Sequence, residues 1–231
     1  MPSLRQRLRH VTGRADVFAP EPALEVIYRD LFLRELALLG LDDRFFPTGG
    51  AANYSLLYLI LRIGAEFRPA SVLDIGAGQS TILWSMLQRR GCVGEVLTLE
   101  DDPEWGARIA AQVEHEMLVT PLRPVKIGGR STMTYDWGAA RDRRQFDVIV
   151  CDGPRGTPHH SRGGILSMLG TLPTDFALVL DDAERDGEQD TIAKIHDCLQ
   201  TDTRDYQVGV LRAAKCQAVF AAGRYVPVTF L

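Results

Sequence analysis

The sequence has little of what would settle its class at a glance. It holds four cysteines, Cys92, Cys151, Cys198 and Cys216, and no two form a Cys-x-x-Cys pair. A zinc site or a disulfide framework is therefore not expected, and reduced thiols in a cytoplasmic protein are. No apolar run approaches the roughly 18 residues of a membrane span. The opening stretch MPSLRQRLRHVTGR is basic but lacks the apolar core of a secretory signal, and reads as a short exposed helix. Excess positive charge is missing overall. The formal net charge is −4, which argues against general affinity for nucleic acid. Internal repeats and low-complexity tracts are absent as well.

What is present is ordinary globular composition, 45% hydrophobic and 24% charged. The length suits one α/β domain with a small addition. The reading divides the chain into an N-terminal helical extension, 1–48, and a main domain, 49–231. In the extension, Leu24, Ile27, Tyr28, Leu31 and Leu38 fall near helical spacing, and Gly40 is a stop signal. The breaker-rich stretch DDRFFPTGGAAN follows as a loop, then YSLLYLILRIGAEF as a buried helix that ends before Pro69.

From Ser71 onward, short apolar runs alternate with helical segments. The predicted strands are Ser71–Ile75, Val96–Glu100, Arg123–Ile127, Phe146–Cys151, Ala177–Leu180, Gln207–Leu211 and Gln217–Ala221. Continuous runs such as FDVIVC and FALVL suit strands buried on both faces. DPEWGARIAAQVEHEM and ERDGEQDTIAKIHDCLQ read as crossover helices, the first opening on an Asp102 cap with Pro103 behind it. This alternation predicts a doubly wound, mostly parallel, seven-stranded α/β sheet of Rossmann-like type with N-terminal helices. The last two runs are too close for a crossover, so the final pair is expected to be antiparallel.

In such a sheet, ligands bind beyond the carboxyl ends of the strands. Those ends carry Asp74, Gly76, Ala77, Gly78, Gln79 and Ser80; Glu100 and Asp101; Asp152; and Asp181 with Asp182. Turn chemistry alone explains an acid at one end, but poorly explains all four. The two glycines permit close backbone approach, and amides at a helix start hold anionic groups. A carboxylate ending the second strand suits the hydroxyls of a ribose. Glycine loop plus acid thus points to a ligand with an adenosine-like half. A dinucleotide fingerprint wants a third glycine, and Thr81 stands in its place.

The stretch VLDIGAGQSTIL resembles the first motif of class I S-adenosylmethionine-dependent methyltransferases, and Glu100 matches that family's ribose-binding acid. The resemblance spans about residues 50 to 231. It implies S-adenosylmethionine as cofactor, with Asp74, Gly76, Ala77, Gly78, Gln79, Ser80, Glu100, Asp101 and Asp152 around it. It also implies Trp105 near the adenine and Gly129-Arg130-Ser131 flanking the base; for Trp105, helix packing is the plainer alternative.

Asp152, Asp181 and Asp182 fall on neighbouring predicted strands. Three close carboxylates repel unless a cation or proton intervenes, and hard oxygen ligands suit Mg²⁺. The set resembles metal-dependent O-methyltransferases of sugars and catechols, though Gly-Pro-Arg follows Asp152 where those carry a histidine- or aromatic-containing run. The alternative is that Asp182 caps the next helix. Beyond Asp152, the loop PRGTPHHSR is polar. A histidine there would serve as general base, His160 rather than His159, and Arg155 and Arg162 would hold an anionic group of the acceptor. A solvated loop is the plainer reading. The candidate catalytic residues are Asp152, His160 and Asp181. The run DGPRG…SRGG also resembles bacterial methyltransferases and plant polysaccharide methyltransferases, which implies a carbohydrate acceptor. Gly49 and Gly50 would hinge a lid whose Asn53 or Tyr54 reaches the site. A nicotinamide-dependent oxidoreductase and a non-catalytic nucleoside-binding protein remain the rivals, and a homo-oligomer remains open.

Overall fold

The computed structural model describes residues 17–136, 138, 145–202 and 204–230. The basic opening stretch lies outside them up to residue 16. Helix α1 (Leu24–Leu38) ends at Gly40, whose φ of 62° lets the chain reverse. Its inner face is not quite the predicted one. Phe32 and Leu36 are buried, whereas Ile27 and Leu38 stand in solvent, so the apolar stripe is rotated toward Phe32. That stripe packs on helix α2 (Tyr54–Arg62), whose residues Leu56 to Leu61 are all buried. A wide π-turn (Ile63–Phe67) ends the helix before Pro69.

The sheet follows. Its strands are β1 (Ser71–Ile75), β2 (Glu95–Glu100), β3 (Glu116–Val119), β6 (Val148–Cys151), β7 (Phe176–Leu180), β8 (Gln207–Arg212) and β9 (Cys216–Ala222). The spatial order is β3-β2-β1-β6-β7-β9-β8. Every neighbouring pair from β3 to β7 is parallel, and β9 runs antiparallel to both β7 and β8. Helices α3 (Gln79–Arg89), α4 (Pro103–Ala110) and α5 (Asp186–Thr201) form the crossovers. Two apolar clusters, one on each face, make this a three-layer α/β fold. Cys92, Cys151 and Cys216 are buried and Cys198 is exposed, all as free thiols. No helix among the described residues is long and apolar enough to cross a membrane.

The strand count matches the sequence reading, but one member differs. Arg123–Ile127 is not in the main sheet. It belongs to β4 (Leu122–Ile127), which pairs only with β5 (Arg130–Tyr135) in a separate hairpin. Gly128 and Gly129 turn that hairpin with φ of 56° and 81°, the paired positive values that a two-residue turn with matching twist requires. The third sheet strand is Glu116–Val119, a region read as the tail of a crossover helix. It is a four-residue edge strand with mixed burial, too short for its periodicity to speak.

Phe32 binds the N-terminal helix to the body of the protein. It meets Phe45 edge-on at 5.2 Å and lies 6.0 Å from the ring of Tyr54. Phe32→Ala is expected to cost about 3–5 kcal/mol of unfolding free energy. Urea denaturation should show one cooperative transition at a lower midpoint, because this helix shares the core of the sheet.

Candidate active site

Strand register places the site. Ile75 pairs with both Leu99 and Cys151, and Cys151 with Leu180. The parallel strands therefore end level, and the residues just beyond them stand in one row along the carboxyl edge. A cavity of about 460 Å³ opens there, within the usual range of small-molecule sites. Gly76, Ala77, Gly78, Gln79, Ser80, Glu100, Asp101 and Asp152 line it, together with Trp105, Tyr135 and Gly153 to Arg155. Thr48 and Gly50 to Ala52 close it from the N-terminal side.

Each wall has a local cause. Gly76 has a φ of 95°, and a Cβ there would stand 2.8 Å from the Gly153 nitrogen, so only glycine lets the two loops meet. Gly78 is extended, and a Cβ on it would meet no protein atom. Glu100 is buried, yet its carboxylate is well served. One oxygen accepts from the Ala77 amide at 2.8 Å; the other accepts from the amides of Asp101 and Asp102 at 2.8 and 2.9 Å. A carboxylate offers roughly four lone-pair sites, so about one remains for a ligand. The Trp105 indole donates to the Ala77 carbonyl at 2.7 Å, and the Tyr135 hydroxyl to Asp101 at 3.2 Å. The loop before α2 is tied down where Gln79 exchanges hydrogen bonds with the backbone of Phe46, at 2.7 and 2.5 Å.

Asp74 does not line the cavity. It is fully buried beneath the glycine loop, where Thr81 Oγ1 donates to it at 2.6 Å and Thr98 Oγ1 at 3.3 Å. Thr81 also accepts from the Gly78 amide at 2.9 Å. The residue standing where a dinucleotide fingerprint has its third glycine thus works through its hydroxyl. Burial pushes the Asp74 carboxyl up to about 7, against the pull of the surrounding hydroxyls.

The acids beyond β6 and β7 do meet. One ligand atom from each of Asp152, Asp181 and Asp182 lies within 4.8 Å of the others. They are not free, however. Buried Arg162 donates to Asp152 at 3.1 Å and to Asp182 at 2.6 Å, and its other Nη donates to the Asp181 carbonyl at 2.6 Å. Lys215 Nζ stands 3.4 Å from Asp181 and 3.2 Å from Asp182. Gln217 donates to the remaining Asp181 oxygen at 2.7 Å. Burial and the Asp181 charge raise the Asp152 carboxyl well above the ordinary range, with Arg162 and Lys215 pulling the other way. Asp182 goes down despite its burial, held there by Arg162, Lys215 and Arg185.

Sequence expectations change at this point. Arg162 serves the protein's own acids rather than an acceptor. Asp181 is fully buried behind Gln217 and Lys215, so it cannot meet a substrate. His160 does not line the cavity; it is buried at a φ of 45°, with the Thr132 hydroxyl on its carbonyl. His159 faces outward between Arg130 and Asp190. Gly129, Arg130 and Ser131 lie at the hairpin tip and also miss the cavity wall, as do Asn53 and Tyr54. Tyr135 was missed. The Gly-Gly turn that aims the hairpin at the sheet was the signal for it.

No family model matches the sequence, and no curated protein matches it. Solved structures do. An SAH-bound methyltransferase of Podospora anserina is 14% identical with a TM-score of 0.51, over 96% of this chain and 98% of that one. An O-methyltransferase of Bacillus cereus in complex with SAH is 14% identical at 0.50, over 94% and 96%. A precorrin-6y C5,15-methyltransferase of Geobacter metallireducens is 16% identical at 0.51, over 78% and 95%. The chain has a methyltransferase fold. In this methyltransferase fold the cavity sits beside the glycine loop, at the carboxyl edge of β1 and β2.

Asp74 gives the fold a pH signature. Below about pH 4 both folded and unfolded states hold its proton. Between there and about pH 7 the unfolded state ionises first, so stability falls as pH rises and then stays low. Asp74→Asn should remove that slope, each unit of separation being worth about 1.4 kcal/mol. Urea midpoints at pH 4.5 and pH 8 for both proteins measure it. An equal wild-type-to-variant difference at both pH values would count against a raised Asp74.

Proposed function

We propose that the protein is an S-adenosylmethionine-dependent methyltransferase acting on a hydroxyl oxygen of a small acceptor of the acidic-sugar type. The observation that carries this reading is the Glu100 carboxylate, fixed on the cavity wall by three backbone amides and facing the same space as the Gly76–Ser80 loop. One ribose hydroxyl fits the acceptor site left on Glu100, and the helix start behind Gly78 suits the amino-acid tail. Trp105 and Asp101 border the same half of the cavity.

When bound, S-adenosylmethionine supplies an electrophilic methyl group on a sulfonium. The chain's own contribution is placement and one proton transfer. Asp152 suits the proton. It is the one member of the acid cluster on the cavity wall, and its side chain keeps 15% of its surface where Asp182 keeps 3%. Its raised proton affinity makes it a better base than an ordinary carboxylate. Asp152 would take the proton of the acceptor hydroxyl as its oxygen receives the methyl group that the cofactor would supply. Arg162 holds the Asp152 carboxyl in place through that exchange. Arg155, an exposed guanidinium on the cavity rim, suits a carboxylate or phosphate on the acceptor. The carboxylate trio fits a divalent ion poorly, because cations of the chain already hold it.

S-adenosylhomocysteine should bind the purified protein in calorimetry, and Glu100→Ala should weaken that binding by at least about tenfold, the loss of a charge-assisted hydrogen bond. Unchanged binding in the variant would remove Glu100 from its role. In assays over a panel of hydroxylated acceptors, Asp152→Asn should lower kcat by about 10²–10⁴-fold. The same panel should favour anionic acceptors, and Arg155→Ala should erase that preference by raising KM. A panel in which neutral acceptors turn over equally well would argue against the anionic class.

A further inference from the structure

We infer that Lys215 and Arg162 take the place of a divalent cation in the Asp152–Asp181–Asp182 cluster, and that Lys215 is the group that keeps such an ion out. The inference about turnover rests on the methyltransferase reading; the inference about metal binding does not.

The geometry is that of a cation site filled by side chains. The Lys215 ammonium has three protons and three oxygens around it: Asp182 Oδ1 at 3.2 Å, Asp181 Oδ2 at 3.4 Å and the Ala51 carbonyl at 3.3 Å. Its side chain is largely buried, at 14% exposure. Arg162 closes the other side. It bridges Asp152 and Asp182 with one nitrogen and reaches the carbonyls of Asp181 and Cys151 with another, at 2.6 and 3.4 Å. Its Nε lies 3.7 Å from Glu188. Arg185 adds a third cation, 2.8 Å from Asp182. Carboxylate and carbonyl oxygens of this kind are what a hard ion would take. Here a fixed lysine and a fixed guanidinium take them instead, and a divalent ion would have to enter beside both. Turnover should therefore proceed without added metal and survive chelation.

The test is a Mn²⁺ titration of the full chain by calorimetry and electron paramagnetic resonance. Wild type should show no saturable Mn²⁺ site into the millimolar range, and a chelator should leave its melting temperature unmoved. Lys215→Met keeps the length of the side chain and removes the charge. It should create a Mn²⁺ site at least about tenfold tighter than anything in wild type, since a like charge has left a carboxylate cluster. Lys215→Gln gives the same reading if the methionine variant does not fold. One micromolar Mn²⁺ site in wild type, lost in Asp182→Asn, would overturn the inference. So would a folded Lys215 variant that gains no Mn²⁺ binding. S-adenosylhomocysteine is titrated into the same samples. Its failure to bind would remove the proposed function, while the Mn²⁺ result would still decide the charge assignment.

Discussion

The buried guanidinium of Arg162 is the contact on which the working edge of this protein depends. Strand register leaves no choice about the acids. Because Cys151 pairs with Leu180, Asp152 and Asp181 emerge side by side, and Asp182 follows at a φ of 56°. Three carboxylates in that position oppose folding unless a cation joins them. The chain supplies it from the loop that begins at Asp152 itself, which doubles back to put Arg162 under its own starting residue. The loop's path follows from that return. Ser161 is drawn onto Glu188 at 2.8 Å, Thr191 bonds the Ser161 carbonyl at 2.7 Å, and His160 is turned toward the hairpin rather than the cavity.

The edge is thereby split into two halves of different character. At the β7 end, polar groups satisfy one another: Asp181 meets Gln217, Gln217 meets Asn53 at 3.2 Å, and Ser55 closes the set at 2.7 Å. Such a network fixes position but offers nothing to a ligand. At the β1 and β2 end, the partners are backbone amides, which hold Glu100 without using it up. Asp152 stands at the boundary. It is tied on one side to Arg162 and open on the other to the cavity. A residue half committed to a structural network is well oriented, and orientation is most of what its proposed role as a base would require.

The fold was legible where the sequence signal is strong. Continuous apolar runs such as FDVIVC and FALVL became β6 and β7, and the short link RAAKC gave the antiparallel close. The glycine loop and Glu100 were legible because each acts through a local requirement, a positive φ in one case and a strand end in the other. What failed was weaker in kind. β3 has four residues and no clear period. Gly128-Gly129 is a turn signal that the sequence reading did not use, and strand propensity alone does not say which sheet a strand joins. Asp74 looks like a ligand residue by its place in the motif, and only burial shows that it faces Thr81 and Thr98.

The cations beside the carboxylate trio were out of reach for a related reason, and the topology explains it. Acids at strand ends can be counted along the chain; the cations that meet them cannot. Arg162 reaches them from within a loop and Lys215 from the turn between β8 and β9, more than thirty residues after Asp182. In a fully parallel sheet the carboxyl edge beside β7 would receive the last residues of its neighbour, Ala221 and Ala222. Reversal of β9 delivers its first residues instead, so Lys215, Cys216 and Gln217 arrive next to Asp181. The antiparallel strand is therefore more than a way of finishing the sheet. It carries an ammonium and an amide to the one place where unpaired carboxylates would otherwise have needed an ion from solution.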